Sequence, residues 1–265
     1  MQIRSLALRT SLMIRRMHGL VEESGGHLVL RTPSVPDFWY GNCLAMPRPP
    51  REGDYGRWMD LFAAELPGNE GGHRVFLVDS PEGDPGDSAP FLEAGFELNV
   101  LDVLATDSPR EPEGLSGRYP IRPLSSDGDW AALVEATLDV NASTPAGDRG
   151  YVERKTAAVR RAVRRAVRRG EGAWWAAWDG GRVAGHAGLF WEGGLARFQD
   201  VETRPEYRRR GVCRSVIHAA CAAARSALGR PTFVIVPADD SVRRIYESLG
   251  FAWREKTVDY CRAPA

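Results

Sequence analysis

Lysine is almost missing from this sequence, which has it only as Lys155 and Lys256. Arginine therefore supplies nearly all the basic charge, and the 35 basic residues balance the 35 acidic ones to a formal net charge of zero. Without an excess of either sign, the composition does not indicate a nucleic-acid or membrane-surface partner. No apolar stretch is long enough to span a membrane, and no small-residue cleavage site follows the apolar residues between Leu6 and Ile14. That segment predicts an amphipathic helix of the fold rather than a signal peptide.

Cysteine is scarce as well, and its positions follow no ligand pattern. The four cysteines form no C-x-x-C pair and have no metal-ligand spacing with the five histidines; they are Cys43, Cys213, Cys221 and Cys261. This pattern argues against a disulfide framework and predicts no metal site. Free thiols in a reducing cytosol are the simplest interpretation, so we expect a cytoplasmic protein.

The most informative segment runs from Val201 to Ser215 and combines a strand end, a glycine turn and a helix start. A strand is predicted over Ala196 to Thr203, and apolar residues recur at helical spacing from Val216 onward. The turn would place the free N–H groups of a helix N-terminus beside several guanidinium groups, which is a way to hold a phosphate or pyrophosphate. Gly211 permits a positive φ and a close approach of the backbone to such a ligand.

Two motifs in this half resemble those of the GNAT superfamily of acetyltransferases. The spacing Arg208-x-x-Gly211-x-Cys213 is similar to the Q/R-x-x-G-x-G/A loop that grips the pyrophosphate of coenzyme A in that family. Downstream, the segment from Asp239 to Phe251 is similar to the family's N-x-x-A-x-x-x-Y-x-x-x-G-F pattern. One residue departs from each motif. In the first, a cysteine stands at 213 where Gly or Ala is usual, and in the second, an aspartate stands at 239 where Asn is usual.

The resemblance implies an α/β (α+β) fold, with mixed sheets flanked by helices, and an acetyl-CoA-dependent N-acetyltransferase that acts on a primary amine by direct transfer. The amine would belong to a small molecule or to a peptide. The cofactor-binding residues that it implies are Val201, Thr203, Arg208, Arg209, Arg210, Gly211, Val212, Cys213, Arg214 and Asp239. The alternative is an inactive coenzyme A-binding regulator or scaffold. A homodimer is compatible with the sequence.

Two residues are candidates for the catalytic proton transfers. Tyr246 matches the family's tyrosine that often protonates the leaving thiolate, and its other role would be to pack over the end of coenzyme A. Some family members have an acid early on the strand before the loop, where this chain has Arg197, which cannot accept a proton at neutral pH. Strand alternation puts Glu202 on the face opposite Arg197. Glu202 is the best remaining carboxylate for the base, with a water path or His186 as alternatives.

The first half of the chain resembles a degenerate copy of the second. Pro205 and Gly211 have counterparts 158 residues earlier, at Pro47 and Gly53. This repeat predicts a tandem GNAT-like protein with a degenerate domain at 1–105, a linker at 106–117 and the acetyltransferase domain at 118–265. The predicted elements of the first copy are a strand over Phe38 to Met46, a helix over Asp54 to Leu66, a strand over Val75 to Val78 and a closing strand over Glu97 to Leu104. Glu52 and Asp54 in its loop would repel a pyrophosphate, so we expect no coenzyme A there.

Further elements of the second half follow from local patterns. They are a strand over Tyr119 to Pro123, a helix capped by Asp127 or Asp129, an irregular polar stretch from Asp139 to Gly150, a basic helix over Tyr151 to Arg169 and a hairpin through Asp179-Gly180-Gly181. The polar stretch is a candidate for acceptor contacts. The basic helix has a Val/Ala face for packing, and its arginines are either solvated or contact an anion. The lack of interleaved aromatic residues argues against nucleic acid.

Overall fold

The computed structural model of the protein describes residues 1–69, 72–112, 118–144 and 147–264. Residues 113–117 of the predicted linker, and Pro145 and Ala146 of the predicted polar stretch, lie outside the described residues. The chain forms two compact units, Met1–Val103 with Trp253–Ala265 (unit 1) and Leu104–Ala252 (unit 2). No helix in these described ranges is long and apolar enough to cross a membrane.

Helices and strands of a mixed α/β fold alternate along the chain. Unit 1 begins with α1 (Leu6–His18), β1 (Leu20–Ser24), β2 (His27–Arg31), β3 (Cys43–Met46), α2 (Asp54–Glu65), β4 (Arg74–Val78), α3 (Ala89–Glu93) and β5 (Glu97–Thr106). There follow β6 (Ile121–Pro123), α4 (Asp127–Asn141), α5 (Arg149–Arg169), β7 (Gly172–Asp179), β8 (Arg182–Glu192), β9 (Leu195–Thr203), α6 (Val212–Leu228), β10 (Thr232–Ile235), α7 (Asp240–Ser248) and β11 (Ala252–Arg262).

The sheet of unit 1 has the strand order β1-β2-β3-β4-β11-β5. The predicted N-terminal amphipathic helix is confirmed as α1, which buries its apolar side and is capped by Ser5. An aromatic core forms between α2, α3 and the sheet, from Trp58, Phe62, Phe76, Phe91, Phe96 and Tyr260. The predicted strand over 38–46 is shorter than expected, because residues Trp39–Gly41 form a 3₁₀ turn. The Asn42 side chain bonds the Phe38 carbonyl and the Thr32 N–H, which satisfies this turn without a strand partner.

The last strand of the chain closes the first unit. In unit 1, β11 lies between β4 and β5 and pairs antiparallel with β4, with Tyr260 opposite Phe76. The predicted closing strand over 97–104 is present as β5, but its neighbour in this sheet is β11 rather than β4. Residues 253–265, which the repeat assigns to the second domain, therefore group with unit 1. The reason is that this strand supplies both ladder hydrogen bonds and a core aromatic residue there.

Unit 2 is a sheet with the order β10-β9-β8-β7-β6, extended on the β10 side by the last three residues of β5. β9 and β10 run parallel, and the hairpin of β7 and β8 turns at the predicted glycines. Helix α6 packs its apolar side, including Val216 and Ile217, into the core of this unit. Two local predictions are wrong. Ser126 caps α4, because Asp129 instead returns its side chain to the Ser126 N–H in a capping box. The predicted Val/Ala packing face of the basic helix does not extend to its last turn, where Val167 is 54% exposed.

Candidate functional site

The loop before α6 has the geometry that the motif predicts for anion binding. Gly211 is the N-cap of α6 with φ 78°, and no described side chain caps this helix end. A Cβ at Gly211 would meet nothing within 4 Å, so the space in front of the helix is open. Arg208, Arg209 and Arg210 precede it on exposed positions. The free N–H groups of the first turn and the adjacent guanidinium groups together favour a phosphate ligand.

The corresponding loop of unit 1 has the same backbone conformation at its glycine but contains a buried carboxylate. Gly53 is the N-cap of α2 with φ 80°, again without a side-chain cap. Here the buried Asp54 carboxylate accepts hydrogen bonds from the Arg51 N–H at 2.9 Å, from Arg48 at 2.6 Å and from Arg57 at 2.5 Å. Burial alone would raise the pKa of Asp54, but the Arg48 and Arg51 hydrogen bonds outweigh it and hold the pKa low. This loop therefore already contains its own anion.

The ladder between β9 and β10 ends before β9 reaches the loop. The parallel ladder has its last pair at Arg197 and Val234, and within the described residues β9 continues to Thr203 paired with β8 only. The backbone of Val201 and Thr203 on the β10 side is consequently not used by the sheet. A strand edge without a ladder partner, followed along the chain by an uncapped helix N-terminus, can take an extended ligand with a phosphate at one end.

A β-bulge in β9 changes which side chains face which side of the sheet. Gly188 pairs with Gln199 and His186 pairs with Glu202, so one residue of β8 faces both Asp200 and Val201. Asp200 has φ 45°, an unusual backbone for a residue other than glycine.

The bulge corrects the predicted alternation of β9. Ala196 and Phe198 belong to the core, and Val201 packs against the same core although it follows Phe198 by three positions, an odd offset. Asp200 and Glu202 line a cavity instead. Regular alternation, which puts Glu202 on the face opposite Arg197, would have directed these two carboxylates to the side of Phe198, so that prediction is wrong.

The cavity is partly open and has a volume of about 80 Å³. It is lined by helices α4 and α5 and by strands β7, β8 and β9 of unit 2. The lining residues are Leu133, Thr137, Asn141, Tyr151, Val152, Lys155, Thr156, Val159, Trp174, His186, Asp200 and Glu202. Asn141, in the stretch expected to contact an acceptor, is among them. Glu202 and His186, both named as candidate bases from the sequence, lie side by side in it.

Two pairs of ionisable groups define the chemistry of the cavity. His186 is 2% exposed, and its Nε2 lies 3.1 Å from Glu202 Oε2. Lys155 Nζ lies 3.1 Å from Asp200 Oδ2. Burial lowers the pKa of Lys155, but the charges of Asp200, Tyr151 and Glu202 outweigh it and raise the pKa above its ordinary value. Lys155 is therefore a cation at neutral pH. Sequence reasoning missed Lys155 and Asp200, since an isolated lysine on a basic helix carries no motif.

The remaining candidate residues lie elsewhere in unit 2. Tyr246 is 3% exposed in the core, and it is not among the residues that line the cavity. Cys213 packs against the same core, and burial raises the pKa of its thiol to about 12. Asp239 caps α7 by accepting the N–H groups of Ser241 at 2.8 Å and Val242 at 2.9 Å. Within the described residues no cluster of three or more His, Cys, Asp or Glu side chains could hold a metal ion.

Comparison with known protein structures supports the fold. A protein of unknown function from Staphylococcus epidermidis ATCC 12228 aligns with a TM-score of 0.72 at 13% identity, over 93% of this chain and 95% of its own. A GCN5-related N-acetyltransferase from Kribbella flavida aligns with a TM-score of 0.66 at 16% identity, over 98% of this chain and 96% of its own. A tandem GNAT protein from the clavulanic acid biosynthesis pathway aligns with a TM-score of 0.54 at 14% identity, over 80% of this chain and 69% of its own.

At these identities the structural comparisons establish the fold alone. No curated protein sequence matches the chain significantly. The sequence profile of the acetyltransferase (GNAT) family matches residues 139–251. That range includes α5, the bulged strand β9, the glycine loop, α6 and the Tyr246 helix, which are the elements on which the resemblance depends. Residues 139–251 of the chain thus match the acetyltransferase (GNAT) family.

Proposed function

We propose that unit 2 is an N-acetyltransferase that uses acetyl-CoA and transfers the acetyl group directly to a primary amine. The observation that carries this proposal is the course of β9. Its pairing with β10 ends at Arg197, the strand leads along the chain into the loop with the uncapped Gly211, and its bulge turns Glu202 into a cavity. One strand thus connects an anion site, an open backbone edge and a carboxylate.

The residues present fit coenzyme A. The N–H groups of Val212, Cys213 and Arg214 would bind the pyrophosphate, since no described side chain caps this end of α6 and a Cβ at Gly211 would meet open space. The backbone of Val201 and Thr203 would bind the pantetheine arm along the unpaired edge of β9. When bound, acetyl-CoA supplies the activated thioester. The cysteine at 213 is compatible with this role, because its side chain packs into the core rather than into the loop.

Two proton transfers are assigned to side chains of this unit. Glu202 would take the proton of the attacking amine, and His186, whose Nε2 is 3.1 Å from its carboxylate, would share that proton. Tyr246 would supply a proton to the departing sulfur. Burial raises the pKa of the Tyr246 phenol, and Cys213 and Asp239 act in the same direction, so the phenol keeps its proton at neutral pH.

The two glycine loops provide a matched test of the binding step. Gly211 and Gly53 have nearly equal φ values of 78° and 80°, and a Cβ at either would meet nothing within 4 Å. Glutamate therefore adds the same backbone strain at both positions, but only at 211 does it add a carboxylate to the proposed phosphate site. In calorimetry we expect Gly211→Glu to abolish acetyl-CoA binding and Gly53→Glu to leave it within about threefold of wild type. Loss of binding in Gly53→Glu alone would move the site to unit 1.

Turnover separates the enzyme from an inactive coenzyme A-binding protein. The purified chain, saturated with acetyl-CoA, is assayed for thiol release across a panel of primary amines, and acetylated products are identified by mass spectrometry. Amine-dependent thiol release that is lost in Glu202→Gln supports the proposal. Tight acetyl-CoA binding without any acetylated product would favour the regulator instead.

The tandem origin of the chain belongs to this proposal as well. It is supported by two helices, α2 and α6, that each follow a strand, begin at a glycine of the same conformation and lead into a parallel strand. In this proposal unit 1 has no coenzyme A ligand, because the Asp54 carboxylate already occupies its loop. A cytoplasmic setting is supported by four cysteines that are all free thiols.

A further inference from the structure

The charged groups that line the cavity do not balance. Asp200 and Glu202 contribute two carboxylates and Lys155 contributes one ammonium group. Apart from the imidazole of His186, the lining therefore has two acidic groups against one basic group, an excess of one acidic group. Lys155 contacts Asp200 at 3.1 Å, which leaves Glu202 with the imidazole of His186 as its neighbour. A ligand with one positive charge would complete this arrangement.

His186 provides an independent indication that the cavity is built for a ligand. Its side chain is 2% exposed, yet within the described part of the chain neither ring nitrogen has a hydrogen-bond partner. Glu202 Oε2, which faces Nε2 at 3.1 Å, also lacks a hydrogen bond there. Buried polar groups in native proteins are nearly always satisfied, and a carboxylate oxygen accepts more than one hydrogen bond, so Glu202 Oε2 has room for a further donor beside the imidazole of His186. An ammonium group supplies three such donors.

The remaining lining combines apolar residues with the uncharged polar residues Thr137, Asn141, Tyr151 and Thr156, and among the described lining residues there is no second cation to receive an anionic group. Leu133, Val152, Val159 and Trp174 are each at most 3% exposed and belong to its lining. The single lining cation is Lys155, and Asp200 already neutralises it. A carboxylate on the ligand would lie near Glu202 and Asp200 without an unpaired positive partner. The polar end of the cavity therefore suits an amine, and the apolar lining suits a hydrocarbon body.

We propose that the cavity binds a small primary amine with a single positive charge and an apolar body, and that the Lys155–Asp200 pair sets this charge preference. The inference rests on the proposed acetyl transfer, for which it names the acceptor class. Lys155 excludes a second ammonium group from the cavity. Asp200 prevents Lys155 from attracting a carboxylate. The bulge at Asp200, with its φ of 45°, is the structural device that brings this carboxylate to the lysine.

Three amines of equal chain length test the charge preference. Pentylamine has one positive charge, 1,5-diaminopentane has two, and 5-aminopentanoate has none in total. They compete in pairs for acetylation at a pH of about 8.5, where imidazole is neutral. Competition gives ratios of kcat/KM that do not depend on how much of a variant is folded. For the wild-type chain we expect pentylamine to exceed each of the others by about tenfold, after allowance for solvent screening of half-buried charges.

Variants of the pair should shift the preference in opposite directions. Lys155→Met raises the excess of acidic groups in the lining from one to two, and we expect the diamine to gain about tenfold relative to pentylamine. Asp200→Asn removes the carboxylate that Lys155 contacts at 3.1 Å, and we expect 5-aminopentanoate to gain by a similar factor. Asparagine is chosen because it tolerates positive φ. Lys256→Met removes the only other lysine, which pairs with Asp102 in unit 1, and should leave all ratios unchanged.

Each outcome decides between the inference and the function on which it rests. Wild-type preference for the zwitterion or the diamine, or identical ratios in wild type and Lys155→Met, would overturn the inference while leaving acetyl transfer intact. Acetylation of other amines, such as a peptide N-terminus, with none of the three accepted would do the same. A chain that binds no acetyl-CoA would overturn the proposed function itself.

Discussion

Replacing Tyr260 by alanine should increase local unfolding of unit 1 and leave that of unit 2 unchanged. Tyr260 lies near the end of the chain on β11 and is fully buried in the aromatic core of unit 1. Its ring centroid is 4.6 Å from that of Phe91, and its hydroxyl donates to the Pro85 carbonyl at 2.6 Å. On the backbone, β11 pairs with β4, so the residue contributes both to the ladder and to the packing of this unit.

The expected loss is large because three effects act together. Truncation of a buried aromatic side chain to alanine costs about 3–5 kcal/mol through lost burial and the cavity that remains. The Pro85 carbonyl also loses its hydrogen-bond donor. This loss accounts for about 1–2 kcal/mol of the 3–5 kcal/mol if no water replaces the tyrosine hydroxyl. Since about 1.4 kcal/mol corresponds to a factor of ten, opening of β4 should become at least a hundredfold more frequent.

Hydrogen exchange followed by mass spectrometry measures this opening for each unit of the full chain. Peptides that contain β4 should lose protection in Tyr260→Ala, whereas peptides of β8 in unit 2 should not. Trp253→Ala is the matched control. It removes a larger ring from the same strand, but Trp253 is 53% exposed, so we expect a change below about 1 kcal/mol. Unchanged protection of β4 in Tyr260→Ala, or equal losses in both units, would refute the role assigned to β11.

Three further predictions concern catalysis, acid stability and the division of the chain. Tyr246→Phe should lower kcat by about 10- to 1000-fold with little change in acetyl-CoA affinity; an unchanged kcat with chemistry rate-limiting would leave it a packing residue. The Arg122 hydrogen bond outweighs burial and holds the pKa of Asp129 below its usual range. The ionised carboxylate therefore adds to the free energy of unfolding above a pH of about 4, and this contribution is lost as the pH falls further. Asp129→Asn should therefore cost about 1–3 kcal/mol in chemical denaturation at neutral pH and progressively less in acid; an equal cost at both would refute this. A fragment of residues 104–252, which retains the pairing of β5 with β10, should melt at a higher temperature than a fragment of residues 118–265, which lacks that strand.

Local signals in the sequence were sufficient for the elements that carry the anion site. Helical spacing predicts α6, and Gly211 predicts its first turn, because only glycine takes a φ of 78° without strain. The hairpin through Gly180 and the basic helix α5 are also confirmed, since turn chemistry and apolar period are properties of a few neighbouring residues. The hairpin of β1 and β2 was available from the same kind of signal, a pair of glycines, Gly25 and Gly26, between two short segments, but was not predicted.

Features that depend on distant pairing could not be obtained in this way. Nothing local to β11 says that its partner is β4, about 180 residues earlier in the chain. The bulge in β9 also depends on pairing with another strand. Its only local sign is Asp200, an ordinary residue that has a positive φ because the register between β8 and β9 shifts there. The error mattered for function. A regular strand would have buried Asp200 and Glu202 with Phe198, whereas the bulge makes them the acidic side of the cavity.

The contrast between the two glycine loops shows how one backbone can support opposite roles. Both α2 and α6 begin at a glycine with a left-handed conformation and without a side-chain cap, so both present unpaired N–H groups. In unit 1 the Asp54 carboxylate lies beside the helix start and bonds Arg48, Arg57 and the Arg51 N–H, so the local positive charge is already neutralised. In unit 2 the corresponding position after the glycine is Val212, which has no charge to offer. The positive end of α6 and its arginines are left for an anion from outside, which is why the proposed coenzyme A site is assigned to unit 2 alone.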